Sequence, residues 1–386
     1  MINKLNPFYI ALYTSIFFLL TFFGLSALGL IQSSVGLEFV GQASRWCETL
    51  SDGLFREPVN TLSNLGFMVI GLYIFWVISN EQTNTNNEFF GPSKIAILYA
   101  SAAVFLGPGS MLMHGTNTLW GGWADNLSMI MYIVIPWLYN VYKMSNWSQQ
   151  TFIKVYVSII VIYSIWRWFT DWGLGINFNL FSVSIGLWFI SEVLYFCKNF
   201  WSAWVRLFSG FVGFVVLALF GTFPAEVFEN INEYWWIIFF WLPGLLANSK
   251  PEGKRTYIYY LLGMVTYFAA FFIWNYGVPD NEYCKPDSLI QAHGLWHLLS
   301  AVATFFFFLH YRSESLEKKD RGREFLLFFI CLMTILISGI FWVIFRSSDC
   351  ETITYQDFDS NYNVIQKTGQ VCGDARDQVH ERWKGN

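Results

Sequence analysis

The stretch "ILYASAAVFLGPGSMLMHGTNTLWGGWADNLSMIMYIVIPWLYN", residues 97–140, decides the fold class of this chain, because two long apolar segments meet in it across a short glycine-containing link. Each segment approaches the roughly 20 residues that an α-helix needs to cross the hydrocarbon core of a bilayer. Ser110, His114 and Asp125 interrupt the apolar run where the segments meet. The stretch therefore predicts two antiparallel transmembrane helices with chemically active side chains at one end.

Apolar segments of this kind fill most of the 386-residue chain, in which 55% of the residues are hydrophobic and 13% are charged. Windows of about span length lie at 8–31, 57–79, 94–114, 123–142, 153–170, 175–197, 204–222, 233–248, 256–276, 290–311 and 324–345. We interpret the first as an uncleaved anchor helix, because it is longer than the apolar part of a signal peptide. The pattern predicts an all-α, polytopic helical membrane protein with about eleven transmembrane helices.

The sequence offers little for nucleotide or nucleic-acid chemistry. It has no glycine-rich phosphate-binding loop, no basic patch and no repeat of fixed period, and its formal net charge is only −4. We therefore expect no nucleic-acid partner.

Lysine and arginine are distributed unevenly between the two sides of the predicted membrane. Most of them fall on one side when the chain is threaded alternately through the bilayer, in loops near 143–154, 198–206, 250–255 and 312–323. Cytoplasmic loops carry an excess of these residues, so this side is predicted to be cytoplasmic. The 32–56 loop, the 277–289 loop and the tail after 346 are then non-cytoplasmic.

Four of the six cysteines, Cys47, Cys284, Cys350 and Cys372, fall on the predicted non-cytoplasmic side. Disulfides persist on the oxidising side of a membrane, which favours pairing over four free thiols. Four cysteines allow three pairings, of which Cys350 with Cys372 is the most local. The other two cysteines lie in or beside predicted spans, where a free thiol behaves as a small apolar group.

Three of the five histidines, His114, His293 and His297, stand at the predicted non-cytoplasmic ends of spans. His293 and His297 are four residues apart, as are Ser110 and His114, so each pair shares one helix face. A single interfacial histidine is usually a packing residue, but three histidines converging with an aspartate from different spans indicate a metal site. The remaining histidines are predicted to lie outside this site.

Zinc suits this set of side chains. Three neutral imidazoles leave a fourth tetrahedral position for water, as catalytic zinc sites require. Asp125 could accept the proton of that water, and Ser110 could donate a hydrogen bond to a developing oxyanion. The residues therefore predict a hydrolase.

These residues resemble the alkaline ceramidases, within the wider superfamily of membrane hydrolases that includes the progestin and adiponectin receptors and Per1-type GPI-lipid remodelling proteins. The similarity covers about 46–311 and rests on motifs in a fixed order: Trp46-Cys47-Glu48, "EPVNTLSNLGF" at 57–67, Ser110-x3-His114, Asp125, and "HGLWH" at 293–297. It implies zinc on the three histidines, Ser110 and Asp125 as catalytic partners, and an intramembrane cavity that admits a lipid amide.

The predicted helices exceed the seven that the resemblance implies, because nine of the windows fall between 57 and 311. We therefore expect a seven-helix ceramidase-like core with extra helices between Asp125 and His293. The predicted domains are an anchor helix and loop at 1–56, the core at 57–311, a cytoplasmic loop and last helix at 312–346, and a polar tail at 347–386.

The resemblance also implies a calcium site that would use Trp46, Glu48 and Glu57. An acidic residue before the tryptophan and an asparagine after the glutamate complete that site in the family, and Arg45 and Leu50 replace them here. An arginine could pair with the carboxylates in place of the ion. We therefore expect that calcium is not strictly required.

The function predicted from the sequence is intramembrane, zinc-dependent hydrolysis of the amide of ceramide or a related sphingolipid, near the non-cytoplasmic face. One alternative is a Per1-type lipid-ester hydrolase. Another is a receptor-like membrane protein in which zinc is structural. The oligomeric state stays open.

Two further groups of polar residues have simpler interpretations. Glu192 near Lys198 is interpreted as a pair at a span end. The polar side chains that begin the second span are expected to satisfy backbone groups or to support the site; they are Asn60, Thr61, Ser63 and Asn64.

Overall fold

The computed structural model describes residues 6–32, 40–170, 178–220, 222, 224–279, 281, 283–316, 350–358 and 364–372. Its helices are α1 Pro7–Ala27, α2 Pro58–Ser63, α3 Leu65–Ser79, α4 Lys94–Thr116, α5 Leu119–Lys143, α6 Gln149–Phe169, α7 Leu180–Phe196, α8 Ala203–Phe208, α9 Val212–Leu219, α10 Pro224–Glu229, α11 Leu242–Leu246, α12 Tyr257–Asn275 and α13 Ala292–Arg312. Short 3₁₀ segments lie at Cys197–Phe200, Ser209–Phe211 and Trp235–Trp241. Strands β1 Cys350–Phe358 and β2 Val364–Cys372 pair antiparallel.

The predicted class, a helical membrane protein, is confirmed. Among the described residues, seven helical stretches are long and apolar enough to cross a membrane: Pro7–Ala27, Pro58–Ser79, Lys94–Thr116, Gln149–Phe169, Leu180–Phe200, Tyr257–Asn275 and Ala292–Arg312. The window at 123–142 falls in α5, a 25-residue helix.

Two of the predicted windows form apolar helical stretches that are shorter than a span. The window at 204–222 gives the shorter helical stretch Ala203–Leu219, which Ser209–Phe211 interrupts as a 3₁₀ turn. The window at 233–248 gives Trp235–Leu246. In this stretch a 3₁₀ segment ends at Trp241, and α11 follows with Pro243 in its first turn. The window at 324–345 lies outside the described residues.

The chain divides into two compact units, residues 1–213 with 233–328, and residues 214–232 with 329–386. All the predicted site residues belong to the first unit. Within it, α4 packs against α2, α3 and α5, while α13 packs against α2, α3 and α12. Helix α2 therefore contacts both helices that carry the predicted histidine ligands.

A two-residue turn joins α4 to α5, in place of the glycine-rich loop that the sequence predicts. Asn117 ends α4 in the left-handed conformation, with φ of 50°, and the Thr118 side chain caps α5 by accepting from the amide of Gly121. A Cβ on Gly121 would lie 2.6 Å from the Leu112 carbonyl oxygen, so glycine lets the two helices approach closely. The turn holds the start of α5 beside the end of α4.

A chain of ion pairs, half-buried at Glu88 and Lys143 and buried elsewhere, lies at the ends of α4 and α5 away from this turn. Its ion pairs are Glu88 with Lys143 at 3.2 Å, Lys143 with Glu314 at 2.9 Å, Glu314 with Arg255 at 2.9 Å, Arg255 with Glu192 at 3.1 Å, and Glu192 with His310 at 2.9 Å. Burial alone would raise the pKa of Glu314, but the neighbouring Arg255 and Lys143 outweigh it and lower that pKa.

The predicted pairing of Glu192 with Lys198 is wrong. Glu192 is 1% exposed and its carboxylate binds Arg255 and His310, whereas the Lys198 ammonium donates to backbone carbonyls of Pro251, Glu252 and Gly253. Sequence distance misled here, because the partners come from a loop and a helix more than 60 residues further along the chain.

Candidate functional site

Three buried histidines meet at the end of the bundle where α4 stops and α13 starts. His114 lies in the last turn of α4, and His293 and His297 lie in the first two turns of α13. One ring nitrogen from each lies within 4.8 Å of the others. The Nε2 atoms of His114 and His293 are 3.1 Å apart.

This group fits a zinc ion. In a tetrahedral site with Zn–N bonds near 2 Å, two ligand nitrogens are about 3.3 Å apart. The His114–His293 separation is close to that value, and all three side chains are at most 5% exposed. Imidazole nitrogens are among the donors that zinc prefers.

Glu57 holds His114 from the side opposite the cluster. Its Oε2 accepts from the Nδ1 of His114 at 2.7 Å and from the side-chain amide of Asn60 at 2.9 Å. The Glu57 backbone amide also donates to the His114 carbonyl at 3.0 Å, so the start of α2 is fixed to the end of α4. A carboxylate on Nδ1 leaves the Nε2 lone pair of His114 directed into the cluster.

The other two histidines have different supports. His297 shares a 2.8 Å hydrogen bond between its Nδ1 and the hydroxyl of Ser63 on α2. The ring of His293 stacks on Trp46, with ring centroids 4.3 Å apart, and its Nδ1 has no hydrogen-bond partner among the described residues. Contacts from α2 and from the 40–57 loop thus surround the cluster.

A disulfide fixes the loop that presents Trp46. Cys47 takes a left-handed backbone conformation, with φ of 71°, and is bonded to Cys284. The Thr49 amide also donates to the Pro286 carbonyl at 3.0 Å, so this loop is joined to the loop before α13. The sequence left the partner of Cys47 open, and the structure shows that this partner is Cys284.

Ser110 and Asp125 lie beside the histidines, on α4 and α5. The Asp125 carboxylate lies near the Ser110 hydroxyl and within electrostatic reach of His114. Ser110 is one turn before His114 on α4, and Asp125 is in the second turn of α5. The two predicted catalytic residues are thus brought together beside the three predicted metal ligands.

The residues of the implied calcium site have protein partners instead. The two carboxylate oxygens of Glu48 accept from the amides of Val59 and Asn60, at 2.6 and 2.8 Å, in the first turn of α2. Burial raises the pKa of Glu48, and these two backbone amides act against that rise. Glu57 is bound to His114, and Trp46 is stacked on His293.

The expected replacement of calcium by Arg45 is wrong. The exposed guanidinium of Arg45 lies 4.5 Å from the centroid of the Trp46 ring, and it forms no ion pair with a described carboxylate. A cation–π contact on an exposed side chain avoids the desolvation that pairing with buried carboxylates would need.

Sequence reasoning did not identify which histidine Glu57 and Ser63 each support. Glu57 was expected at the calcium site, and Ser63 was grouped with residues that satisfy backbone groups or support the site. The spacing of Glu57, Asn60 and Ser63 at intervals of three is a helical pattern that could have indicated a common element. Only the packing of α2 between α4 and α13 reveals which histidine each one binds.

Span-length helices with a buried three-histidine cluster at one end define a polytopic helical membrane protein with a candidate metal centre. The Ceramidase family model matches residues 43–341, which is more than half of the chain. The chain therefore belongs to the ceramidase family, a family of hydrolases. The match extends beyond residue 311, where the sequence resemblance was expected to end. A comparison with curated proteins gave no match.

Proposed function

We propose that this protein is a zinc-dependent membrane hydrolase that cleaves the amide of ceramide or a related sphingolipid, giving a fatty acid and a sphingoid base. The observation that carries the proposal is the convergence of three buried histidine nitrogens with the Ser110–Asp125 pair, in a member of the ceramidase family.

His114, His293 and His297 would hold the zinc ion. When bound, zinc supplies Lewis acidity and makes a water acidic enough to ionise near neutral pH. Three histidine ligands leave a fourth position, as catalytic sites do, whereas structural zinc sites are closed by a fourth protein ligand. The described residues supply three such ligands, which favours an enzyme over a receptor-like protein with structural zinc.

Asp125 and Ser110 would carry the proton and stabilise the oxyanion. Asp125 takes the proton of the attacking water and later delivers it to the leaving amine nitrogen of the sphingoid base. Protonation of Asp125 weakens it as an acceptor, so the Ser110 hydroxyl becomes free to donate to the oxygen of the former amide carbonyl.

The disulfide supports a site near the non-cytoplasmic face. Cys47 is adjacent to Trp46, which stacks on His293, so the Cys47–Cys284 bond lies at the same end of the bundle as the cluster. Disulfides persist in oxidising compartments, which is consistent with the orientation predicted from lysine and arginine.

The test is purified protein incubated with a panel of lipid amides and esters, with zinc content measured in parallel. We expect release of fatty acid from ceramides. His293→Ala should lose both zinc and activity. Asp125→Asn should keep zinc and lose turnover, and Ser110→Ala should lower the rate by about 100- to 1,000-fold at most.

The control is Asp52→Asn, which changes an exposed carboxylate at the same end of the molecule and should leave the rate unchanged. Hydrolysis of esters alone would favour the Per1-type alternative. Zinc-loaded Asp125→Asn and Ser110→Ala variants that both match the wild-type rate would contradict the mechanism.

A further inference from the structure

We propose that Ser63 is a positioning residue, which holds His297 in the one neutral tautomer that can bind a metal through Nε2. This inference rests on the zinc centre of the proposed function and deepens it. Helix α2, which supplies no metal ligand, thereby becomes part of the machinery of the site.

The direction of the hydrogen bond follows from the donors and acceptors around Ser63. The Ser63 hydroxyl lies 2.9 Å from the backbone carbonyl oxygen of Asn60 and 2.8 Å from the Nδ1 of His297. A carbonyl oxygen only accepts, so the single hydroxyl proton of Ser63 points to Asn60. The second contact then requires His297 to donate from Nδ1.

The backbone carbonyl of Asn60 is well placed to accept the hydrogen bond from the Ser63 hydroxyl. It accepts from the Ser63 hydroxyl and from the side-chain amide of Asn64, at 2.9 and 2.8 Å. Asn60 and Asn64 are fully buried, so water does not compete for these bonds. A neutral imidazole that donates from Nδ1 has its free lone pair on Nε2.

Glu57 acts on His114 in the same way from the other end of α2. Its carboxylate accepts from Nδ1, at 2.7 Å, and leaves Nε2 free. Because α2 packs against both α4 and α13, one short helix fixes a ligand on each. His293 has no such partner on Nδ1 among the described residues and is oriented by Trp46 instead.

The experiment measures zinc affinity of the purified full-length protein by competition with a chelator, without any lipid substrate. Ser63→Ala removes the hydroxyl and should weaken zinc binding by about 10- to 100-fold, as loss of a hydrogen bond to a ligand histidine typically does. Ser63→Thr retains the hydroxyl and should restore most of the affinity.

The matched control is Leu62→Ala, which truncates the neighbouring side chain of α2, 41% exposed, and should leave zinc affinity unchanged. Thermal unfolding of the zinc-free variants separates loss of the fold from loss of the ligand. A Ser63→Ala protein that binds zinc as tightly as wild type would overturn the proposal, as would an equal loss in Leu62→Ala. Wild-type protein that binds zinc but cleaves no lipid amide would refute the proposed function alone.

Discussion

The carboxylate of Glu57 has protein partners that the motif resemblance does not imply. The motif resemblance implies that it binds calcium, but in the structure it binds the Nδ1 of His114 and the side chain of Asn60. Glu48 is likewise satisfied by the first amides of α2. These two backbone amides offset part of the cost of burying the Glu48 carboxylate.

We therefore predict that activity survives removal of calcium. A calcium-selective chelator that spares zinc should leave lipid-amide hydrolysis unchanged, because Arg45 and Leu50 stand where the family places two further ligands. Removal of zinc from the same preparation serves as the positive control and should abolish turnover. Strong loss that is reversed by added calcium would contradict this prediction.

At the scale of elements, the apolar windows predicted the long helices well, because crossing a membrane imposes a length and a composition that the sequence must show. The spacing of Ser110 and His114, and of His293 and His297, predicted that each pair shares a face, because residues four apart are neighbours on a helix. The role of α2 could not be predicted, since it depends on which helices pack against it. The 3₁₀ segments near Ser209 and Pro243 could not be predicted, because the residues around them are as apolar as those of a continuous helix.

The β1–β2 pair leads to a prediction for the remaining non-cytoplasmic cysteines. The register places Cys350 opposite Cys372, and Cys47 is already bonded to Cys284. We expect a second disulfide between Cys350 and Cys372. Peptide mapping of unreduced protein from its native membrane should find both linked pairs, and the Cys47–Cys284 peptide is the internal control.

Free thiols at Cys350 and Cys372, in protein whose Cys47–Cys284 bond is intact, would contradict this pairing. That result would also remove one support for a non-cytoplasmic tail, since both cysteines belong to the tail after 346. The orientation would then depend on the lysine and arginine distribution and on the Cys47–Cys284 bond.

At the scale of the whole molecule, two features occupy opposite ends of α5 and α13. Asp125 and the two α13 histidines lie at one end. Lys143 and His310 lie at the other end, in the chain of ion pairs. The same two helices therefore carry the candidate catalytic residues and the ion pairs that fix their far ends.

Both ring nitrogens of His310 face oxygen acceptors. Its Nδ1 lies 3.2 Å from the Thr256 carbonyl oxygen and its Nε2 lies 2.9 Å from a Glu192 carboxylate oxygen. A carbonyl and an ionised carboxylate both only accept, so an imidazole that donates from both ring nitrogens would match both partners. If His310 is charged, this chain of ion pairs holds three acids and three cations that balance one another, and four of the six are buried.

This balance predicts strong coupling between Glu192 and His310. Glu192→Gln alone leaves two buried cations short of a partner and should destabilise the protein by about 3–5 kcal/mol, as removal of one member of a buried ion pair typically does. His310→Gln should cost less, because Arg255 and Asn140 still bind Glu192. The double variant removes one charge of each sign and should be more stable than Glu192→Gln.

Thermal unfolding of the four proteins in detergent measures the coupling, with exposed Asp52→Asn as control. Additive losses would show that His310 is neutral, because a neutral imidazole has no charge for Glu192 to balance.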